Sequence, residues 1–182
     1  MAEAAENPGP AAKRAVTLPD PIWAPLAVGG LLLAVGLIGL AAGQPWLFPS
    51  LGPTAFLQAE EPGKPGSRFY NTVAGHLIGF AAGALAVWVL GASGAPSVLA
   101  DKELTGIRVG AAAISGVLTM LGLTLLRASH PPAAATMLLV ALGGFEPSWR
   151  SAAIVGAGVV ILAVLGEGVR YVRREIVVPP AR

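Results

Sequence analysis

The sequence predicts an all-α polytopic membrane protein with four transmembrane helices and two short Pro-started partial (re-entrant) helices in two tandem repeats. Three observations predict it. Hydrophobic residues make up 54% of the 182-residue chain and charged residues only 12%, against roughly 25% charged in soluble domains, and mean hydropathy is +0.70. Charge-free runs lie between Asp20 and Glu60 and over 69–100, 109–126, 128–145 and 151–166; a bilayer core needs about 20 helical residues. Laying Ser50-Leu51-Gly52-Pro53-Thr54-Ala55 over Ser129-His130-Pro131-Pro132-Ala133-Ala134 brings Ser, Pro and Ala into register. Each half then reads crossing, short helix, polar turn, crossing. A soluble fold is disfavoured because too few polar residues remain to cover a globule of this length.

In chain order, residues 1–20 hold Glu3, Glu6 and several Ala and Pro, and read as a disordered cytoplasmic tail with the first crossing as an uncleaved signal anchor. The transmembrane domain is expected over 21–174, with repeats over about 23–91 and 105–174, and a cytoplasmic C-terminal tail over 175–182. The first crossing runs over about 25–43, with Trp23 and Trp46 as interfacial belts at its ends and Gln44-Pro45 as its stop. A short apolar piece over 48–58 follows, then a polar loop rich in Pro and Gly over 60–68. The second crossing covers about 70–90, and 91–104 is a connection holding Asp101, Lys102 and Glu103.

The third crossing spans about 105–126, carries Arg108 near its start and ends at Arg127. Pro131 and Pro132 cannot lie inside a helix, but in its first turn they remove only amides that would be unpaired. A helix therefore starts there, with Ser129 and His130 as candidate caps, and stops at Gly143-Gly144. Glu146 to Arg150 makes a turn with Trp149 at the interface, and the last crossing runs over about 151–171. Arg170, Arg173 and Arg174 at its end, with Lys13 and Arg14 before the first crossing, favour two cytoplasmic termini. If the partial helices dip and return, there are four crossings and parallel repeats; if they span, there are six and inverted repeats. Placing Lys64, Arg68 and Arg127 inside favours six. The shortness of 53–58 favours four, the preferred arrangement.

Each partial helix is expected to offer unpaired amide hydrogens and about half a positive charge at its N-terminus. Two converging near the repeat axis make a site for a small inorganic anion, with Ser50, Thr54 and Ser129 as hydroxyl donors and Gly52, Pro53, Pro131 and Pro132 shaping the turns. The apolar runs hold no Asp or Glu, so cation selectivity has no ligands there. His76, which follows Asn71 and Gly75 inside a crossing, and His130 can hydrogen-bond an anion or carry a proton; alternatively each bonds a carbonyl freed where a helix breaks. Arg127 is placed either to attract anions or to anchor a helix end at the interface. The chain has no cysteine, so thiolate sites and disulfides are excluded. No metal or other cofactor is implied, and the basic residues form no nucleic-acid-binding face. Glycine spacings such as Gly75-x-x-x-Gly79-x-x-x-Gly83 and Gly156-x-Gly158 mark close helix packing.

The stretch Ser129-His130-Pro131-Pro132-Ala133-Ala134-Ala135 resembles the signature of the HPP family of integral membrane proteins. Ser50-Leu51-Gly52-Pro53-Thr54-Ala55 resembles that family's earlier small-residue motif, and Asn71-Thr72-Val73-Ala74-Gly75-His76-Leu77-Ile78-Gly79 its Asn-x-x-Gly-Gly-His-Leu-Ile-Ser segment, with Ala74 and Gly79 as departures. The likeness covers about 23–172. It implies four membrane-spanning helices and a transporter, and relatives implicated in nitrite transport suggest nitrite. The expectation is thus a plasma-membrane, homo-oligomeric transporter or channel for a small anion, without enzymatic activity. A non-transporting sensor or scaffold, or a membrane-embedded enzyme using His76 and His130, is the alternative.

Overall fold

A computed structural model describes residues 16–175 and 177–178 of the chain. Four long apolar helices dominate: α1 (Asp20–Ala41), α3 (Phe69–Val89), α5 (Gly106–Leu125) and α7 (Trp149–Glu175). Two short ones, α2 (Leu51–Glu60) and α6 (Ala133–Ala141), occupy the centre. These are the expected four crossings and two partial helices. A 3-10 turn (Ala92–Gly94) and a further α-helical turn, α4 (Val98–Asp101), sit in the α3–α5 connection, which the sequence reading left without structure. Helix α1 begins earlier than expected because Pro21 fits its first turn. Helix α7 runs on through its arginines to Glu175.

Of the two tails, 1–15, 176 and 179–182 lie outside the described residues. Of the described residues in those stretches, β1 (Val16–Thr17) pairs in parallel with β2 (Val177–Val178). Large apolar side chains such as Leu26, Leu33, Leu40, Leu85, Val117 and Met120 face outward. That is the surface expected where lipid is the solvent.

Side-chain contacts distinguish the two ends of the bundle. At the first end, Arg173 pairs with Asp20 and donates to Leu18 O at 2.8 Å, and Arg170 Nε donates to Pro62 O at 2.6 Å. There too the Phe69 amide donates to Glu167 at 2.7 Å, and Tyr70 Oη donates to Leu126 O at 3.0 Å. At the second end, buried Arg108 donates to Pro96 O (3.0 Å), Ala95 O (2.7 Å) and Ala141 O (3.2 Å). Helices α1 and α3 therefore run from the first end to the second, and α5 and α7 run back.

The short helices complete the traverse with non-helical leads. After α1, Gly43 takes a left-handed turn (φ 62°) and the chain runs back along α1, Trp46 beside Gly39 and Leu47 beside Gly36. It then follows α7, with Phe48 against Gly158 and Gln58 against Gly166, before reaching Pro62 at the first end. In the second half, His130, Ala133 and Val140 pass Gly75, Gly79 and Gly83 of α3 in that order. A Cβ at Gly79 would meet Ala133 O at 2.6 Å, so only glycine admits α6 at this distance. Each partial helix and its lead thus carries the chain from one end to the other. The two halves run in opposite directions, as inverted repeats and not as the parallel repeats that go with the preferred four-crossing reading; the four long helices stand as the expected crossings, and the non-helical leads add length to the half-length helices.

Candidate functional site at the meeting of the partial helices

The N-terminal turns of α2 and α6 lie side by side and point in opposite directions. Ser50, the N-cap of α2, shares a 2.8 Å hydrogen bond with Thr136 in α6, and Thr54 of α2 lies 3.3 Å from His130 Nε2 before α6. All four are fully buried.

His76 of α3 completes the cluster. Its Nδ1 is 2.5 Å from Thr136 Oγ1, and its Nε2 is 2.8 Å from Thr54 Oγ1 and 3.2 Å from His130 Nε2. The two rings meet edge on, with centroids 4.9 Å apart. His130 Nδ1 lies 2.8 Å from Gly66 O, in the turn between α2 and α3. A carbonyl only accepts, so Nδ1 of His130 carries the hydrogen and, in the neutral ring, Nε2 carries the lone pair. The close approach depends on Gly75, where a Cβ would lie 2.6 Å from His130 Cβ.

The first amides of the partial helices are engaged, which corrects the expectation of unpaired donors. Leu51 and Gly52 donate to Phe48 O and Pro49 O, and Ala133, Ala134 and Ala135 donate to His130 O, Pro131 O and Pro132 O. Tight i→i+3 turns absorb these hydrogens. The polar atoms that remain at the meeting point are side-chain hydroxyls and imidazole nitrogens, inside the field of two helix dipoles.

Of the residues read from the sequence as binding, Ser50, Thr54, His76 and His130 come together. Gly52, Pro53, Pro131 and Pro132 instead line an open groove of about 720 Å³ on the outer side of the same turns, with Phe56 and Leu57. Asn71 acts at one remove: its Nδ2 donates to Ser129 O at 3.0 Å and fixes the lead into α6. The side chains of Ser129 and Arg127 are exposed at the first end. Arg127 adopts φ 50°, continuing a turn in which Arg127 N donates to Thr124 O and Ala128 N to Leu123 O.

Sequence reasoning missed Thr136, Gln58 and Thr72. Ser50, Thr54 and Gln58 recur every fourth residue along α2, and Thr72 precedes His76 by the same step, so the helical period could have exposed both stripes. Gln58 is fully buried against Gly166; among the described residues neither end of its amide has a hydrogen-bond partner, nor does the Thr72 hydroxyl. Thr136 gave no signal within an Ala- and Leu-rich run.

An internally duplicated bundle whose central helices are broken at a buried polar cluster defines a class of polytopic membrane protein. The family model described as "HPP, transmembrane region" matches residues 13–177, and the chain belongs to the HPP transmembrane family. No curated protein and no solved structure matches the chain.

Proposed function

We propose that this protein is a transporter or channel for a small inorganic anion, nitrite foremost, and not an enzyme. The observation that carries the reading is the cluster of Ser50, Thr54, His76, His130 and Thr136 between the starts of two antiparallel half-helices, deep in a bundle with an apolar exterior. Polar side chains at that depth are costly unless used, and paired helix N-termini favour negative charge. Arg127 and Ser129, exposed at the first end, attract and admit the ion; Asn71 holds the lead that carries them.

Lys64, Arg68, Arg127, Arg170, Arg173 and Arg174 all sit at or beside the first end. The bias of basic residues toward the cytoplasm therefore orients both termini inward in a plasma membrane. Four long helices enclose little volume, which favours a homo-oligomer; a monomer by native mass spectrometry in mild detergent would count against that.

Nitrite uptake into proteoliposomes tests the reading. Wild type is expected to exceed protein-free vesicles clearly, and monodisperse His130→Ala to lose about tenfold or more, as displaced site groups commonly do. Wild-type uptake of nitrite and other small anions no faster than empty vesicles would sink it.

A further inference from the structure

We infer that the His76–His130 pair takes up one proton for each anion, so that transport is an electroneutral symport of one anion and one proton. The inference rests on the anion reading and adds the coupling. Its first support is that, among the described residues, no fixed positive charge faces the place where the anion would sit. The groups facing the two rings are Thr54 from α2, Thr136 from α6, the Gly66 carbonyl and the other ring. Charged groups on the surrounding elements lie at the ends: Arg108 of α5 is held by Ala95, Pro96 and Ala141, and on α7 Glu167 pairs with Arg170 and Phe69, Arg170 with Pro62, and Arg173 with Leu18 and Asp20, while Glu60 of α2 and Arg150, Arg174 and Glu175 of α7 are exposed. The first-turn amides are also engaged. Helix dipoles alone supply about half a charge each, and a whole anion in a low-dielectric interior needs closer compensation.

The second support is the hydrogen count. Gly66 fixes the hydrogen of His130 on Nδ1, so its Nε2 lone pair faces His76 Nε2 at 3.2 Å with the Thr54 hydroxyl beside both. When His76 donates from Nδ1 to Thr136, two Nε2 lone pairs converge on the single hydrogen of Thr54. One added proton converts that contact into an N–H···N bond. A second would place two imidazolium charges edge to edge, so the capacity is one.

A path for that proton is also present. In the other tautomer of His76, with its hydrogen on Nε2 and the hydroxyl hydrogens turned to match, every bond from Ser50 through Thr136, His76, Thr54 and His130 to Gly66 runs in one direction. A proton received by Ser50 then displaces one hydrogen at each step and leaves His130 with a hydrogen on both ring nitrogens, and the departing anion takes that added proton with it. No other bond breaks and no electron moves. The anion and proton cross together and the net charge moved is zero.

The test uses full-length protein in proteoliposomes with an internal pH dye, protein-free vesicles subtracted, and voltage set by potassium and valinomycin. Nitrite uptake is expected to acidify the lumen one proton per ion, to respond to an imposed pH gradient, and to ignore an imposed voltage. Monodisperse Thr54→Val, which keeps the shape and removes the bridging hydroxyl, is expected to lose at least tenfold of the gradient-driven uptake. Nitrite uptake that follows voltage and ignores the pH gradient would overturn the coupling and leave the anion reading standing. No flux of any small anion would remove both.

Discussion

The two halves of the molecule share a frame and differ in polarity. Helices α1, α3 and α6 end in left-handed glycines, Gly43, Gly91 and Gly143, and α5 ends in Arg127 in the same conformation. Gly158 and Gly166 of α7 receive the first half's lead and short helix as Gly75 and Gly83 of α3 receive the second's. The polar groups are not repeated. Where α2 carries Ser50, Thr54 and Gln58, the matching places in the second half are exposed Ser129, Ala133 and Met137. Where α3 presents His76 after Gly75, α7 presents buried Val159 after Gly158. Duplication supplies the crossing half-helices, and one half supplies most of the chemistry, met by His130 and Thr136 from the other.

Matched glycine substitutions offer the strongest way to break that division. A Cβ at Gly75 meets His130 at 2.6 Å; one at Gly158 meets the Phe48 ring and Trp46 O, each at 2.7 Å. Gly75→Ala and Gly158→Ala should each cost about 1–3 kcal/mol by overpacking, lowering the thermal midpoints in detergent to a similar extent. Only Gly75→Ala moves a histidine of the cluster, so its nitrite uptake should fall about tenfold or more, since small misplacements at a site are costly. Equal uptake in the two variants would mean that the cluster is no more functional than the packing opposite it.

The frame was largely legible in the sequence because charge-free runs and paired prolines report directly on bilayer length and helix starts. Passage through the bundle was not: 42–50 crosses part of the depth as non-helical chain packed on Gly36, Gly39 and Gly158, and hydropathy carries no mark of an irregular lead held by glycines. The site was half legible. Histidine inside a crossing draws attention because it is expensive there, whereas Thr136 and Gln58 carry no charge and disappear among apolar neighbours. Arg108 was visible as a cation without an acid, but its partners are three backbone carbonyls, which a sequence never displays. The expectation of free amides failed for a local reason: prolines at a helix start favour tight turns that consume those hydrogens.

The short helices also differ in how their C-terminal ends are held. Ser67, from the loop just after α2, donates to Leu57 O at 3.1 Å and Glu61 O at 2.8 Å, while the end of α6 depends on Arg108 from α5. Arg108→Met should therefore destabilise the protein by about 2 kcal/mol, the scale of hydrogen bonds to a charged donor. Hydrogen exchange should quicken at the last turn of α6 and remain unchanged at the last turn of α2. Uniform quickening would show that the arginine holds the whole bundle and not one half-helix.

The smallest effect concerns the end of α5, where Arg127 stands in place of the left-handed glycine that ends α1. Arg127 holds φ 50°, and a left-handed backbone costs a non-glycine residue about 1 kcal/mol. Gly43 ends α1 in the same conformation, with Gly43 N donating to Leu40 O and Gln44 N to Gly39 O, the pattern seen at Arg127 and Ala128. Arg127→Gly should raise the thermal midpoint by about 2–4 °C, the shift expected for ~1 kcal/mol in a domain of this size, and Gly43→Ala should lower it by a similar amount. Arg127 persists in a strained turn that glycine would relax, which fits its proposed use in attracting anions at the first end. That use gives the variant a second signature: nitrite uptake by Arg127→Gly should fall in low salt and approach wild type near 1 M, where the Debye length shrinks to about 3 Å. A stabilised variant with uptake equal to wild type in low salt would leave Arg127 as a helix terminus alone.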